Sequence, residues 1–251
     1  MRYLITLLLF IGIAQAQPLT YYGMMGNSGL VTNGLILNLN ATNTGSYSGS
    51  GSTWYDLSGL GNNGTLYNSP SYSSLGGGSL VFGGTSTTNV QVPSFNSDSA
   101  KSLSVFVWVY QTNLSSFRFI LTKRDNSSND QYEIYTDNNQ MSVALFNGGI
   151  IASSNAISPH NTNTWYYFGF TTSGTNGSLL NVYDNGIFKQ SATLTADRKT
   201  SSYNLMLGNS QWGVGTYPLL GNISQVQIYN RVLTASEISK NFNSTKKYYG
   251  Y

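Results

Sequence analysis

From residue 34 almost to the end, the chain reads as short segments in which apolar and polar residues alternate, separated by Gly, Asn and Ser turns. A two-residue period sends successive side chains to opposite faces, so this text predicts β-strands. The expected strands are 34–41, 79–82, 89–92, 101–110, 117–123, 131–136, 141–146, 165–171, 179–184, 187–194, 204–208 and 219–229. Two of them are apolar on both faces. In 101–110, Leu103, Val105, Val107 and Val109 share one side while Phe106, Trp108 and Tyr110 share the other; 165–171 is aromatic on both sides. Such strands belong in the middle of a sandwich or beneath a binding surface. Asn185-Gly186 between two strands is a strong hairpin signal, because both turn positions need positive φ.

One helix stands out against this background. Thr234-Ala235-Ser236-Glu237 reads as a capping box, in which the Thr hydroxyl takes the third amide and the Glu carboxylate reaches back. Ile238 and Phe242 follow as a short stripe for burial. No repeat and no internal boundary interrupt 34–251, which is expected to form one domain, preceded by an extension over 17–33.

Residues 1–16 have the order of a secretory leader. Arg2 supplies a charge, Leu4–Ile13 an apolar stretch, and Ala14-Gln15-Ala16 a small-x-small cleavage site. Ten helical residues span about 15 Å, half of a ~30 Å hydrocarbon core, so an uncleaved anchor is disfavoured. The expectation is a mature chain with no membrane span, secreted and extracellular, at a cell surface or on a virion.

Composition narrows the chemistry. Of 251 residues only 8% are charged, with a net charge of +3, one histidine and no cysteine. Thiol catalysis, disulfides and zinc–thiolate sites are therefore impossible. The basic residues are scattered and never exceed pairs, whereas a nucleic-acid binder concentrates them on one face; no nucleic-acid partner is expected. Nineteen Tyr, 11 Phe and 4 Trp within a 40% hydrophobic chain suffice for a core.

The text from Leu35 onward resembles the LamG-like domains of the concanavalin A-like lectin/glucanase superfamily. The resemblance is carried by Trp54-Tyr55-Asp56-Leu57-Ser58-Gly59 with Asn62-Asn63-Gly64-Thr65, Gly77-Gly78-Ser79-Leu80-Val81-Phe82, Leu103–Trp108 and Trp165-Tyr166-Tyr167. It continues through Val182-Tyr183-Asp184-Asn185-Gly186, Gly221-Asn222-Ile223, Ile228-Tyr229-Asn230-Arg231-Val232-Leu233 and the tail to Tyr249-Gly250. It implies an all-β, two-sheet antiparallel jelly-roll sandwich with one short C-terminal helix, of a kind often used to bind carbohydrate or protein.

Hydrolysis fits poorly. Relatives of laminarinase type carry Glu-x-Asp-x-x-Glu on one strand, and a retaining glycosidase needs two carboxyl groups ~5 Å apart. Here Glu occurs only at 133 and 237, and Glu237 is used by the helix cap. Glu133 and Asp137 have same-face spacing, but Asp137 begins a turn. His160 is the sole base available to a Ser-His-Asp triad, and it reads as a solvated loop residue. Asp56 is expected to hydrogen-bond local backbone amides.

Calcium is the cofactor to consider, because relatives bind it with loop oxygens. Asp125 and Asp130, in Asp125-Asn126-Ser127-Ser128-Asn129-Asp130, are the candidate ligands. They lack the spacing of a calcium loop, and the preferred reading is a solvated hairpin tip. Relatives also carry Asp where this chain has Gly83 and Ser224, which removes oxygen charge from a family-type site. For a glycan, stacking aromatics matter most. Trp212 in Asn209-Ser210-Gln211-Trp212-Gly213 is the leading candidate, with Tyr217, Asn209 and Gln211 beside it; Tyr47 and Tyr72 come behind. Trp54, Trp108 and Trp165 are expected in the core. The reading is a non-catalytic glycan-binding or adhesion module. The alternative is a structural or decoration subunit of a virion or cell-surface assembly that binds protein and forms homo-oligomers.

Overall fold

The computed structural model describes residues 29–95, 101–124, 131–155, 159–211 and 216–251. The leader over 1–16, Asp125, Asp130 and Trp212 lie outside these residues. In chain order the strands are β1 (Leu35–Asn40), β2 (Thr53–Trp54), β3 (Gly64–Tyr67), β4 (Ser71–Ser73), β5 (Ser79–Gly83), β6 (Asn89–Val92), β7 (Leu103–Gln111) and β8 (Arg118–Lys123). They continue as β9 (Tyr132–Asp137), β10 (Gln140–Phe146), β11 (Ile150–Asn155), β12 (Trp165–Thr172), β13 (Leu179–Asp184), β14 (Ile187–Thr193), β15 (Leu205–Leu207) and β16 (Leu220–Tyr229). A single α-helix among the described residues, α1 (Ala235–Thr245), follows.

Two antiparallel sheets result. The first runs β14-β13-β12-β7-β16-β5-β4, with β1 also paired to β16; the second runs β11-β10-β9-β8-β15-β6-β3-β2. This is the expected jelly-roll sandwich. Its interior is built by the inward residues of both sheets, among them Val105, Val107, Phe168, Phe170 and Ile228 from the first and Val90, Leu121, Ile134, Val143 and Leu207 from the second.

The outward face of the first sheet is also covered. Phe106, Trp108, Trp165, Tyr167, Tyr183 and Tyr229 form a second cluster there, closed by Leu30, Val31, Leu233, Ile238 and Tyr249. Trp108 stacks on Tyr249 at 3.8 Å between ring centres and on Phe242 at 5.6 Å. The two-faced strands of the sequence are thus β7 and β12, sandwiched between the main core and the C-terminal helix. Trp54, Trp108 and Trp165 are all buried.

Local rules account for the helix and its approach. Thr234 accepts from the Glu237 amide and Glu237 reaches back, the expected capping box,. Arg231 grips the same carboxylate from the preceding loop at 2.6 and 2.8 Å. These partners hold the Glu237 carboxyl down near a pKa of about 2, with the Arg231 hydrogen bond the main cause. Val31 is tied in by its amide to Asn241 Oδ1 and by its carbonyl to the Tyr229 hydroxyl, each at 2.9 Å. Gly169 in β12 faces Phe106 of β7. A Cβ there would stand 2.1 Å from the Val105 carbonyl oxygen, so the close approach of these strands requires glycine,.

Candidate functional site

Of the four sheet faces, two meet in the core and a third lies beneath α1. The outward face of the second sheet remains. Its register places Phe119, Tyr135, Ser142 and Asn155 in one row across β8, β9, β10 and β11. Thr122, Glu133, Ala144 and Ser153 form the next row, and Asp137 pairs with Gln140 at the hairpin end.

Over β8 this face is partly roofed by the segment that follows β15. The Thr122 hydroxyl donates to the Asn209 carbonyl at 3.1 Å. Tyr217 packs edge-on against Phe117 and Phe119, with ring centres 5.1 and 6.1 Å apart. Phe117 in turn stacks on Tyr135 at 4.8 Å. The roofing segment is the one that carries the glycan candidates of the sequence. Tyr217 is 37% exposed at the rim, and Gln211 is half-buried. Asn209 is fully buried: its amide donates to Ser86 O and its side-chain oxygen accepts from the Ser210 amide, so it holds the loop. Tyr47 is also buried, against Tyr72, and belongs to the core.

Beyond the roof, over β9–β11, lies a groove of about 300 Å³ lined by Tyr135, Asp137, Asn138, Gln140, Ser142, Ser153, Ser154, Asn155 and Gln190. Sequence reasoning did not single out this set. Its floor is the β9–β10 hairpin, turned by Asn138 and Asn139 at φ of 47° and 63°; asparagine tolerates this left-handed region better than most residues. Gln190 comes from β14, the edge of the other sheet. Asn155 donates to Gln140 Oε1 at 2.8 Å, which orients the Gln140 amide and leaves its nitrogen free of that bond. Tyr135 is held protonated: burial raises its pKa first and the Glu133 carboxylate adds to it, against a hydrogen bond with Ser142. Every lining residue offers a hydroxyl, amide or carboxylate. Such a surface can exchange hydrogen bonds with a polyhydroxylated ligand beside an aromatic wall.

The same geometry bears on catalysis. Glu133 and Asp137 do share a face, but four residues of strand separate them by about 13 Å, too far for the paired carboxyls of a glycosidase. Glu133 is further engaged by Arg124 at 2.8 Å.

His160 corrects an expectation. It is 5% exposed rather than solvated, because its loop tucks beneath the β9–β10 turn, with the His160 amide donating to Asn139 O at 2.8 Å. The ring stands edge-on to Tyr166 at 4.4 Å. Nδ1 accepts from the Met141 amide at 3.2 Å, and Nε2 faces Asp184 Oδ2 at 3.3 Å. Nε2 makes no hydrogen bond at that distance, and the Nδ1 lone pair is taken by the Met141 amide, so it is not free to serve a nucleophile,. Asp56, as expected, accepts from the amides of Asn38, Ser58 and Asn62 and from the Ser58 hydroxyl.

A laminin G profile, described as the concanavalin A-like lectin/glucanases superfamily, matches residues 82–239. No curated protein matches the chain. Among solved structures, the binding domain of paraclostridial mosquitocidal protein 1 superposes with a TM-score of 0.65 at 16% identity, over 85% of this chain and 52% of the other. The botulinum neurotoxin type G receptor-binding domain gives 0.63 at 18%, over 84% and 51%. A structure concerning cell entry of botulinum neurotoxin type C, which depends on interaction with two ganglioside molecules, gives 0.64 at 14%, over 86% and 52%. The chain spans about half the length of these matched chains, and at such identities the likeness is one of fold.

Proposed function

The chain belongs to the concanavalin A-like lectin/glucanases superfamily, and from that premise we propose that it is a non-catalytic, extracellular glycan-binding domain that uses the outward face of its second sheet. The observation that carries this reading is the all-polar groove over β9–β11, set beside the Phe117–Tyr135 wall on the sheet face that α1 does not cover. Trp212 is proposed as a stacking ring for the ligand, on the ground that Tyr217, five residues further along the chain, packs on that wall. One structural neighbour, botulinum neurotoxin type C, depends for cell entry on two gangliosides; these are sialylated, so the likeness supports a glycan as ligand class and not the charge of that glycan. Among the described residues no helix is long and apolar enough to cross a membrane.

The test is binding of the purified chain to a broad glycan array, with calcium and with EDTA, alongside Trp212→Ala. Binding indifferent to EDTA and weakened by the substitution is expected. Loss in EDTA would instead assign ligation of calcium to loop oxygens, with Asp125 and Asp130 the first to replace. Unchanged binding by Trp212→Ala would remove that residue from the site.

A second reading, a virion or surface subunit that binds protein, draws on the exposed apolar side chains of the edge strands: Ile150 on β11, and Ile187 and Phe188 on β14. No binding to any glycan, together with ordered oligomers in electron micrographs, would favour it.

A further inference from the structure

We infer that the β9–β11 groove accepts neutral, hydroxyl-rich sugars and turns away acidic ones such as sialylated, uronylated or sulfated glycans. This rests on the glycan-binding reading and specifies its ligand class.

The first ground is the charge of the lining. Asp137 contributes a carboxylate, and among the described lining residues none is Lys, Arg or His. Lys189 precedes Gln190 on β14 but does not line the groove. A carboxylate that accepts from sugar hydroxyls forms strong, charge-assisted hydrogen bonds. Set against a second anion it is repulsive, and more so at a partly desolvated surface than in water.

The second ground is that both arginines at the ends of β8 are engaged: Arg118, opposite Thr136 and so beside Asp137 in register, donates to Pro218 O at 3.0 Å. Arg124 pairs with Glu133 at 2.8 Å and lies 4.2 Å over the Phe146 ring. A ligand anion would have to break that pair to gain a counterion.

The third ground is independent and points to a ligand as such. Ser154 lines the groove, is only 7% exposed, and its hydroxyl has no hydrogen-bond partner. A buried hydroxyl left unpaired is costly, and native structures leave few of them without a reason. The register of Ser154 opposite Val143 turns it to the core side of β11, where the edge strand β14 with Gln190 comes close, so a ligand hydroxyl would complete it only by entering between the two edge strands. The Gln140 amide nitrogen, freed by the way Asn155 holds its oxygen, is a second group set to meet the same ligand.

The experiment pairs each neutral oligosaccharide on an array with its sialylated, uronylated or sulfated counterpart, followed by titration calorimetry at physiological salt. Wild-type chain, Asp137→Asn and Ser154→Ala are compared, with the thermal midpoint of each variant as the folding control. Neutral sugars are expected to bind, with acidic counterparts weaker by about tenfold or more. Asp137→Asn should narrow that gap, and Ser154→Ala should weaken neutral binding while the midpoint holds. Acidic glycans bound as tightly as neutral ones, or more tightly, would overturn the inference and leave the glycan reading standing. So would neutral binding untouched by both substitutions, which would place the sugar elsewhere. Absence of binding to every glycan would overturn both. Should Asp137→Asn unfold at the hairpin, Ser154→Ala and Gln190→Ala, which lie outside that turn, decide whether the groove is the site.

Discussion

Removal of the Tyr249 ring tests whether the C-terminal segment seals the outward face of the first sheet, the premise that leaves the second sheet for ligand. Tyr249 is 6% exposed, stacks on Trp108 at 3.8 Å and approaches Trp165 at 5.1 Å. The hydroxyl proton of Ser224 goes to Gly78 O at 2.5 Å, so at the 2.9 Å Ser224–Tyr249 contact the phenol is the donor. An aromatic ring buries about 150–250 Å², and at ~25 cal/mol per Å² its loss costs about 4–6 kcal/mol before relaxation. Relaxation at the margin of the cluster should bring Tyr249→Ala to about 3 kcal/mol, the low end for buried aromatics. Tyr249→Phe keeps the stack and leaves Ser224 its Gly78 partner, so about 1 kcal/mol is expected. Urea unfolding followed by tryptophan fluorescence reads both, with the slope unchanged if only the native state is affected. In a chain of this size the thermal midpoint should fall by roughly 6–12 °C for the alanine variant. A Tyr249→Ala protein within 0.5 kcal/mol of wild type (a threshold of about the noise of surface substitutions) would show that the segment does not seal the sheet.

Three further outcomes follow from the same structure. Gly169→Ala should prevent native folding, because its Cβ would stand 2.1 Å from the Val105 oxygen and 2.5 Å from the Phe106 ring; a soluble variant with wild-type circular dichroism would contradict the strand geometry. The His160 ring should be the Nε2–H tautomer in nitrogen-detected NMR, since Nδ1 accepts from Met141, and His160→Ala should cost about 2 kcal/mol or more by emptying a buried site packed on Tyr166,; a dominant Nδ1–H form would refute the arrangement. Burial raises the pKa of Tyr167, Tyr229 and Tyr249. Raised folded-state values mean that their neutral forms stabilise fully below the unfolded value of about 10, and that this stability is lost as pH climbs above it, by up to about 1.4 kcal/mol per pH unit for each phenol. Urea unfolding between pH 8 and about 11.5 should show that decline, and a flat profile would mean that the three rings are not buried.

Much of this fold is legible in the text because most strands keep strict alternation. The long strands β7, β12 and β16 lie where the period places them, to within a residue or two. What escapes is short or irregular. β2, β3 and β4 have two to four residues each, too few for a period to register. β11 is offset by a bulge opposite Leu145 and Phe146, so Ile151 and Ala152 are buried side by side and the alternation fails.

The site follows the same division. Contrast between strands apolar on both faces and strands polar on one, such as Glu133-Ile134-Tyr135, marks the second sheet as the one with an open side. That signal was present in the sequence and points to Tyr135, Asp137 and Ser142. Ser154 and Gln190 join them only because the edge strands of two sheets meet, a non-local event. His160 is buried for a similar reason: its partner Asp184 lies on β13, paired to Phe168 of β12, and nothing near residue 160 announces it. Asn209 shows the converse error of position, a polar loop residue whose amide is consumed by the loop itself.

The measurement that bears most directly on the ligand site is a side-by-side titration of wild type and the double variant Gln140→Ala/Ser154→Ala with the strongest neutral glycan from the array. The groove account expects the double variant to bind at least about tenfold more weakly, roughly 1.4 kcal/mol, with its thermal midpoint unchanged or raised by relief of the unpaired Ser154 hydroxyl. Equal affinity for the two proteins would contradict it.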